Sequence, residues 1–268
     1  MPVQHSAELE STKDYRKKTI KYVNPRTINL DIKEYRVFPE SWNEVQKFRN
    51  CVVGKETFGI GDYLLINNAS TKPVEQTEEN FWVAQVLEIR AKDEEHVYLR
   101  VYWMYRPEEL PQGRQQYHGR EELIHSNHMD IIDARTVGGR STVKRWREHD
   151  DNEENPSGSY WRQKFDYDEQ TLGALREHCA CRGYYNPDTI MILCDWCNMW
   201  LHEHCVLDSV KKWTLMMENP LRKRITKTDL KTVKVGKWDI ASSTVLVKYK
   251  GRTWHEHARC LKCDRQID

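Results

Sequence analysis

At 268 residues the chain is long enough for one large domain or two small ones, each able to bury a core. Hydrophobic residues make up 38% and charged residues 31%; no apolar run approaches the ~20 residues a spanning helix needs, and Met1 to Glu10 lack the apolar centre of a secretory signal. A membrane protein is thereby disfavoured and an intracellular chain expected. Lys+Arg 42 against Asp+Glu 41 leaves +1, so affinity for nucleic acid has to come from a local patch rather than from net charge.

Residues 1–30 open on a polar stretch without period and are expected to be disordered or loosely attached. Over 31–170 the aromatic and β-branched content rises. Asp62 to Ile66, Phe81 to Ile89 and His96 to Tyr105 are short strand-like runs separated by polar segments, which predicts an antiparallel β-domain with few helices. Glu122 to Val137 adds another piece, and Gly138-Gly139 is expected to turn the chain. The acidic stretch 149–159 reads as a linker or a long loop, because Tyr160, Trp161 and Phe165 are aromatic enough to return to the same core. In HVYLRVYWMY, alternation puts Val97, Leu99, Val101, Trp103 and Tyr105 on one face, so a core-facing row runs out into two aromatics. Trp82 opens the preceding strand. Three aromatics converging at strand ends suit either core packing or an open box for a cation.

Cysteine placement divides the chain. Cys51 stands alone and the other seven lie between 179 and 263, which in a reducing compartment reads as metal ligands rather than bridges. The ligands run Cys179-x-Cys181, Cys194-x2-Cys197, His202-x2-Cys205 and Cys260-x2-Cys263, separated by twelve, four and fifty-four residues. Eight S/N ligands make two tetrahedral zinc sites, and structural zinc sites leave no open position for catalysis.

The C4-H-C3 order resembles the plant homeodomain (PHD) finger, whereas a RING finger has its histidine fourth. The cross-brace of that family implies one ion on Cys179, Cys181, His202 and Cys205 and another on Cys194, Cys197, Cys260 and Cys263. His204, His255 and His257 are rival ligands that do not improve the spacing. The fifty-four-residue gap is longer than the family usually shows, so 171–268 is expected to be a PHD-type finger with a basic insertion at 206–259. Many PHD fingers build a methyl-lysine cage at positions held here by Tyr185, Met191 and Trp200, although His178 replaces a frequent cage tyrosine.

Upstream, W-x-Y-R-P-E-E, Y-H-G-x-E-E-L and SYWRQKFDY resemble the bromo-adjacent homology (BAH) domain, and BAH followed by PHD resembles chromatin readers of plants and fungi. The resemblance implies a mainly β fold, a BAH β-barrel-like domain followed by a small zinc-stabilised finger. It also implies a non-enzymatic nuclear reader in Polycomb-type repression that holds H3K27me3 in a box of Trp82, Trp103 and Tyr105. His128 and Asp130 would touch the histone, and the finger would meet the H3 N-terminus, with H3K4me3 a candidate mark. Met104, on the opposite strand face, should not matter to the box. H3K9me3 shares the same four-residue context, so only the resemblance and the His128/Asp130 loop favour H3K27me3.

Two alternatives stand beside this reading: a DNA- or nucleosome-binding structural protein, and a RING-like ubiquitin ligase, which the ligand order opposes. Residues 206–259 hold thirteen Lys/Arg against five Asp/Glu, 13 − 5 = +8, leaving −7 for the rest of the chain. TVLVKYKGRTW predicts a β-hairpin packed on the finger, with Arg222, Lys223 and Arg224 exposed as candidate contacts to nucleosomal DNA.

Overall fold

The computed structural model describes residues 19–22, 39–68, 80–150, 153–220 and 224–267. The chain divides into two compact units: the first comprises 1–114, 121–147 and 156–173; the second comprises 115–120, 148–155 and 174–268.

The first unit is a twisted, mostly antiparallel sheet system. Strand β1 (Thr19–Tyr22) runs parallel to β3 (Asn50–Val53), which pairs antiparallel with β4 (Glu56–Gly59). Helix α1 (Pro39–Glu44) and strand β2 (Gln46–Phe48) lie between β1 and β3 in the chain. The larger sheet is built on β5 (Tyr63–Ile66), β6 (Trp82–Ala91), β7 (Val97–Tyr105), β8 (Glu122–Asp133) and β9 (Val137–Ser141). Its strand order is β10-β11-β8-β7-β6-β5-β9, with β10 (Lys144–Arg145), β11 (Tyr160–Asp166) and β12 (Thr171–Leu172) closing the unit. Val97, Leu99 and Val101 alternate into a core with Leu64, Ile66, Ala84, Val86 and Ile89.

Tyr160, Trp161 and Phe165 do return to this unit, because β11 pairs parallel with β8 after the acidic stretch. Gly138 and Gly139 do not turn the chain. They lie inside β9, where a Cβ on Gly138 would come within 2.6 Å of the Phe81 ring, so the glycine serves close packing.

A buried ion pair joins β8 to β11. Arg162 Nε donates to Glu122 Oε1 at 3.0 Å, Tyr160 Oη donates to Glu122 Oε2 at 3.2 Å, and the Arg162 guanidinium lies over the Trp146 ring. The Glu122 carboxylate is tolerated at this depth because the Arg162 guanidinium and the Tyr160 hydroxyl both donate to it.

The second unit pairs β13 (Glu177–His178) with β14 (Gly183–Tyr184), and β15 (Met191–Cys194) with β16 (Met199–His202). Helix α2 (Glu203–Glu218), helix α3 (Lys227–Thr232) and a three-stranded antiparallel sheet of β17 (Lys234–Asp239), β18 (Thr244–Tyr249) and β19 (Arg252–His257) follow. The expected hairpin is β18–β19, turning through Lys250 (φ 48°) and Gly251 (φ 77°), successive left-handed residues that suit a tight hairpin. The insertion is no appendage. Val206, Val210, Leu215, Trp238, Val245 and Val247 share one core with Ile192, Leu201 and the buried ligand cysteines.

Candidate functional site

The first site begins with strand register. Val83 faces Met104 and Ala84 faces Trp103 across β6 and β7, so one step further sets Trp82 beside Tyr105 on the same face. Ala84 is small, leaving room for the indole opposite. Trp82 and Trp103 meet edge to face, with ring centroids 5.6 Å apart and planes at 80°, an arrangement that presents a π-face to the space between them. Trp82 is 50% exposed, so the box opens to solvent.

The opposite wall is a bulge. Between Tyr102↔Met129 and Met104↔His125, only Trp103 on β7 faces Ser126, Asn127 and His128 on β8. The displaced strand re-aims His128. Buried Ser126 pins it, donating its hydroxyl to the Trp103 carbonyl at 2.7 Å and accepting the His128 N–H at 3.1 Å. Tyr105 Oη and His128 Nδ1 lie 2.5 Å apart, and the Tyr167 ring stacks on His128 at 3.8 Å. Asn127 holds the Tyr167 loop by accepting its N–H at 2.6 Å.

Together Trp82, Trp103, Met104, Tyr105, Glu109, His128 and Asp130 line a cavity of about 360 Å³. Aromatic walls with two carboxylates at the rim suit an organic cation. The same surroundings act on Tyr105: burial first, then neighbouring Tyr167, Glu109 and Asp130, pushes its phenol up to about 12. The phenol therefore stays neutral and keeps its hydroxyl proton for His128. Glu109 is positioned by a 3-10 turn, Pro107–Glu109, whose capping box has the Arg106 N–H donating to the Glu109 carboxylate at 2.6 Å.

The second constellation is metal-ligating. Ligand atoms of Cys179, Cys181, His202 and Cys205 lie within 4.8 Å of one another, as do those of Cys194, Cys197, Cys260 and Cys263. In the second cluster Cys194 and Cys263 Sγ are 3.7 Å apart, and Cys197 and Cys260 Sγ are 3.6 Å apart. A tetrahedron with metal–sulfur bonds of ~2.3 Å has edges of ~3.8 Å, so the spacing fits an ion. In the first cluster His202 Nε2 donates to the Tyr184 carbonyl at 3.1 Å, which leaves the Nδ1 lone pair facing Cys181 Sγ at 3.3 Å. Burial and neighbouring His204 hold the His202 pKa low, favouring the neutral imidazole a metal needs.

The knuckles repeat one local device. Arg182, Asn198 and Asp264, each directly after the second cysteine of a pair, have φ of 57°, 52° and 59°. Their N–H groups fold back to the carbonyls of Cys179, Cys194 and Cys260 at 3.2, 2.8 and 3.0 Å. Burial works against a Cys194 thiolate, yet N–H groups of Cys197 and Trp196 bring its pKa down to about 7.

The sequence profile of the BAH domain matches residues 56–176. Those residues are a BAH domain. Among curated proteins the chain is similar to chromatin remodeling protein EBS of Arabidopsis thaliana, 35% identical over 130 residues, or 47% of this chain and 55% of the relative. Chromatin remodeling protein SHL of the same plant is 32% identical over 122 residues, 44% of this chain and 53% of the relative. The chain thus spans about half the length of the curated relatives it matches. The crystal structure of the yeast Rsc2 BAH domain superposes with a TM-score of 0.37 at 13% identity, covering 49% of this chain and 55% of that one.

Within the BAH domain the structure brings together all five residues singled out from sequence, Trp82, Trp103, Tyr105, His128 and Asp130. Met104, expected to be indifferent to the box, also lines the cavity, while packing with Val83, Leu123 and Trp161. Sequence reasoning missed Glu109 and Tyr167. The first follows directly from the Pro-Glu-Glu turn after β7, and the second ends the SYWRQKFDY segment.

In the second unit the two ligand sets combine as the cross-brace implied, an arrangement compatible with a zinc finger. His204 Nε2 lies 3.2 Å from Cys205 Sγ but does not join the cluster, and His255 bonds Thr244 instead. Of the finger's predicted cage, Leu193 faces Trp200 and Met191 precedes Leu193 by two, so Met191 and Trp200 share the outer face of β15–β16. Tyr185 accepts a hydrogen bond from Asn155 at 2.7 Å and lies 6.0 Å from the His178 ring, and His178 itself pairs with Glu148 at 3.1 Å. Arg224 is exposed, whereas Arg222 and Lys223 lie outside the described residues, as does most of the 1–30 stretch.

Proposed function

We propose that the chain is a non-enzymatic nuclear chromatin reader whose BAH domain holds trimethylated lysine of the histone H3 tail, H3K27me3 first, in Polycomb-type repression. The observation that carries the reading is the cavity walled by Trp82, Trp103 and Tyr105 and rimmed by Glu109 and Asp130. A trimethylammonium cannot donate a hydrogen bond, so π-faces and diffuse negative charge are what recognise it. His128, held between Tyr105 and Tyr167, and Asp130 would meet the peptide beside the lysine. That EBS and SHL are named chromatin remodeling proteins supports a chromatin role.

The two ligand clusters are read as structural zinc sites of a PHD finger, because four sulfur or nitrogen donors closed around each site leave no position for substrate. Met191 and Trp200 on the outer face of β15–β16, with Tyr185, are the finger's surface for the H3 N-terminus, H3K4me3 being the mark to test. Titrating the full chain with histone peptides carrying H3K27me3, H3K9me3 or H3K4me3, and with their unmethylated counterparts, tests the whole reading. The H3K27me3 peptide should bind tightest to the BAH domain; equal affinity for the unmethylated peptide refutes it.

A further inference from the structure

The insertion's charge is not evenly neutralised, and the acids show why. Asp208 pairs with Lys211 at 2.8 Å, and Glu218 with Lys250 at 3.5 Å and Arg252 at 2.5 Å. Asp229 caps α3 through Thr226, Asp239 accepts from Ala241 N–H and Ser242 hydroxyl, and Glu256 accepts the Trp254 indole N–H. All five acids of 206–259 are thus committed. Arg224, Lys227, Lys231, Lys234, Lys237 and Lys248 have no ion-pair partner among the described residues.

Three of these cations share a sheet. Lys234 stands directly opposite Lys248, with Thr253 completing the rung, and all three side chains are exposed. Two lysines facing one another across an antiparallel pair repel. Lys237 sits in the bulge between Val235 and Trp238, three residues after Lys234. The other sheet face is buried by Val245, Val247 and Trp238. The outward rungs hold Lys, Thr and His around half-buried Leu246, and the exposed aliphatic of this sheet, Ile240, lies off these rungs in the β17–β18 turn. A flat array of ammonium groups without an anchor pocket fits a repeating polyanion better than an acidic peptide, because each charge can meet a phosphate without reading a side chain.

We propose that the outer face of β17–β18–β19, with α3 ahead of it, binds the phosphate backbone of duplex DNA independently of sequence. It is a surface separate from the aromatic cavity and stands whether or not that cavity takes methyl-lysine.

Fluorescence anisotropy of a labelled ~20-bp duplex of arbitrary sequence, titrated with the full chain from ~50 to ~200 mM salt, tests this, because each neutralised phosphate adds about 0.9 to the salt slope. Affinity should fall steeply with salt. The Lys234→Ser/Lys237→Ser/Lys248→Ser variant should bind at least about tenfold more weakly at the lowest salt and lose roughly 2–3 from the slope. Lys250→Ser/Arg252→Ser, which removes cations already paired with Glu218, should cost under about threefold. Lys248→Ser alone should lose about 0.9 of slope while its thermal midpoint holds or rises, since repulsion with Lys234 is relieved; this single variant decides the matter should the triple variant misfold. No complex at ~50 mM salt, a salt-indifferent complex, equal loss in the paired-cation control, or tighter binding to poly-glutamate than to the duplex overturns the proposal.

Discussion

Trp82→Ala separates recognition from folding in the aromatic cavity. Trp103 is packed on the core of the first unit, so truncating it also removes buried contacts, whereas Trp82 is 50% exposed and lies outside that core. The variant should keep the thermal midpoint near that of the parent. A tryptophan face at a half-open site contributes on the order of 1 kcal/mol to a bound cation, or about fivefold in affinity. Calorimetric titration with a trimethyl-lysine peptide reads this loss directly, and Trp82→Phe should recover part of it. A peptide carrying the neutral tert-butyl isostere supplies the decisive comparison: the parent should prefer the cation, and Trp82→Ala should narrow the preference. Equal affinity of the parent for cation and isostere, or equal loss of methylated and unmethylated peptide in the variant, refutes the cation–π account.

Tyr105→Phe deletes the hydroxyl that meets His128, and should weaken methyl-lysine peptide binding by about 1 kcal/mol, measured in the same titration. Elemental analysis should find two zinc ions per chain, and a strong chelator should expose the seven cysteines of the second unit to a thiol reagent. Cys51 should stay unreactive there, because it is fully buried in the other core, where burial pushes its thiol up to about 12. Arg162→Met strands the buried Glu122 carboxylate and should lower the stability of the first unit by about 3–5 kcal/mol in denaturant melts, without changing zinc content.

Sequence made the aromatic row legible because period-two alternation in β7 survives as far as Tyr105, and because the ligand spacing of a metal knuckle is local. It did not make His128's neighbours legible. Their placement depends on a bulge that sets three residues of β8 against Trp103 alone, and pairing register across strands is not written in either strand by itself. Gly138-Gly139 misled for the same reason: a glycine pair suits a turn, yet it equally suits a strand that must pass close to an aromatic ring. Tyr167 stood in view as a residue but not as a stacking partner, since the pairing of Phe165 with Ser126 and the Asn127 hydrogen bond bring its loop to His128, and neither is written in the segment by itself.

The insertion bears on how far ligand spacing can be trusted. A flexible gap of fifty-four residues closes at a cost only about 1.2 kcal/mol above one of ~14 residues, two doublings of loop length. Binding a structural zinc ion supplies roughly 10–16 kcal/mol, so gap length alone could not have broken the second cluster. Here the described part of the gap is folded. Val210 and Leu215 on α2, Trp238 on β17 and Val245 and Val247 on β18 pack against Cys194 and Cys260 in one core, so apolar burial returns the chain to the last ligand pair. The sheet and the second metal cluster therefore share one core, and a long gap between ligands weighs against a site only when its sequence has no core of its own to contribute.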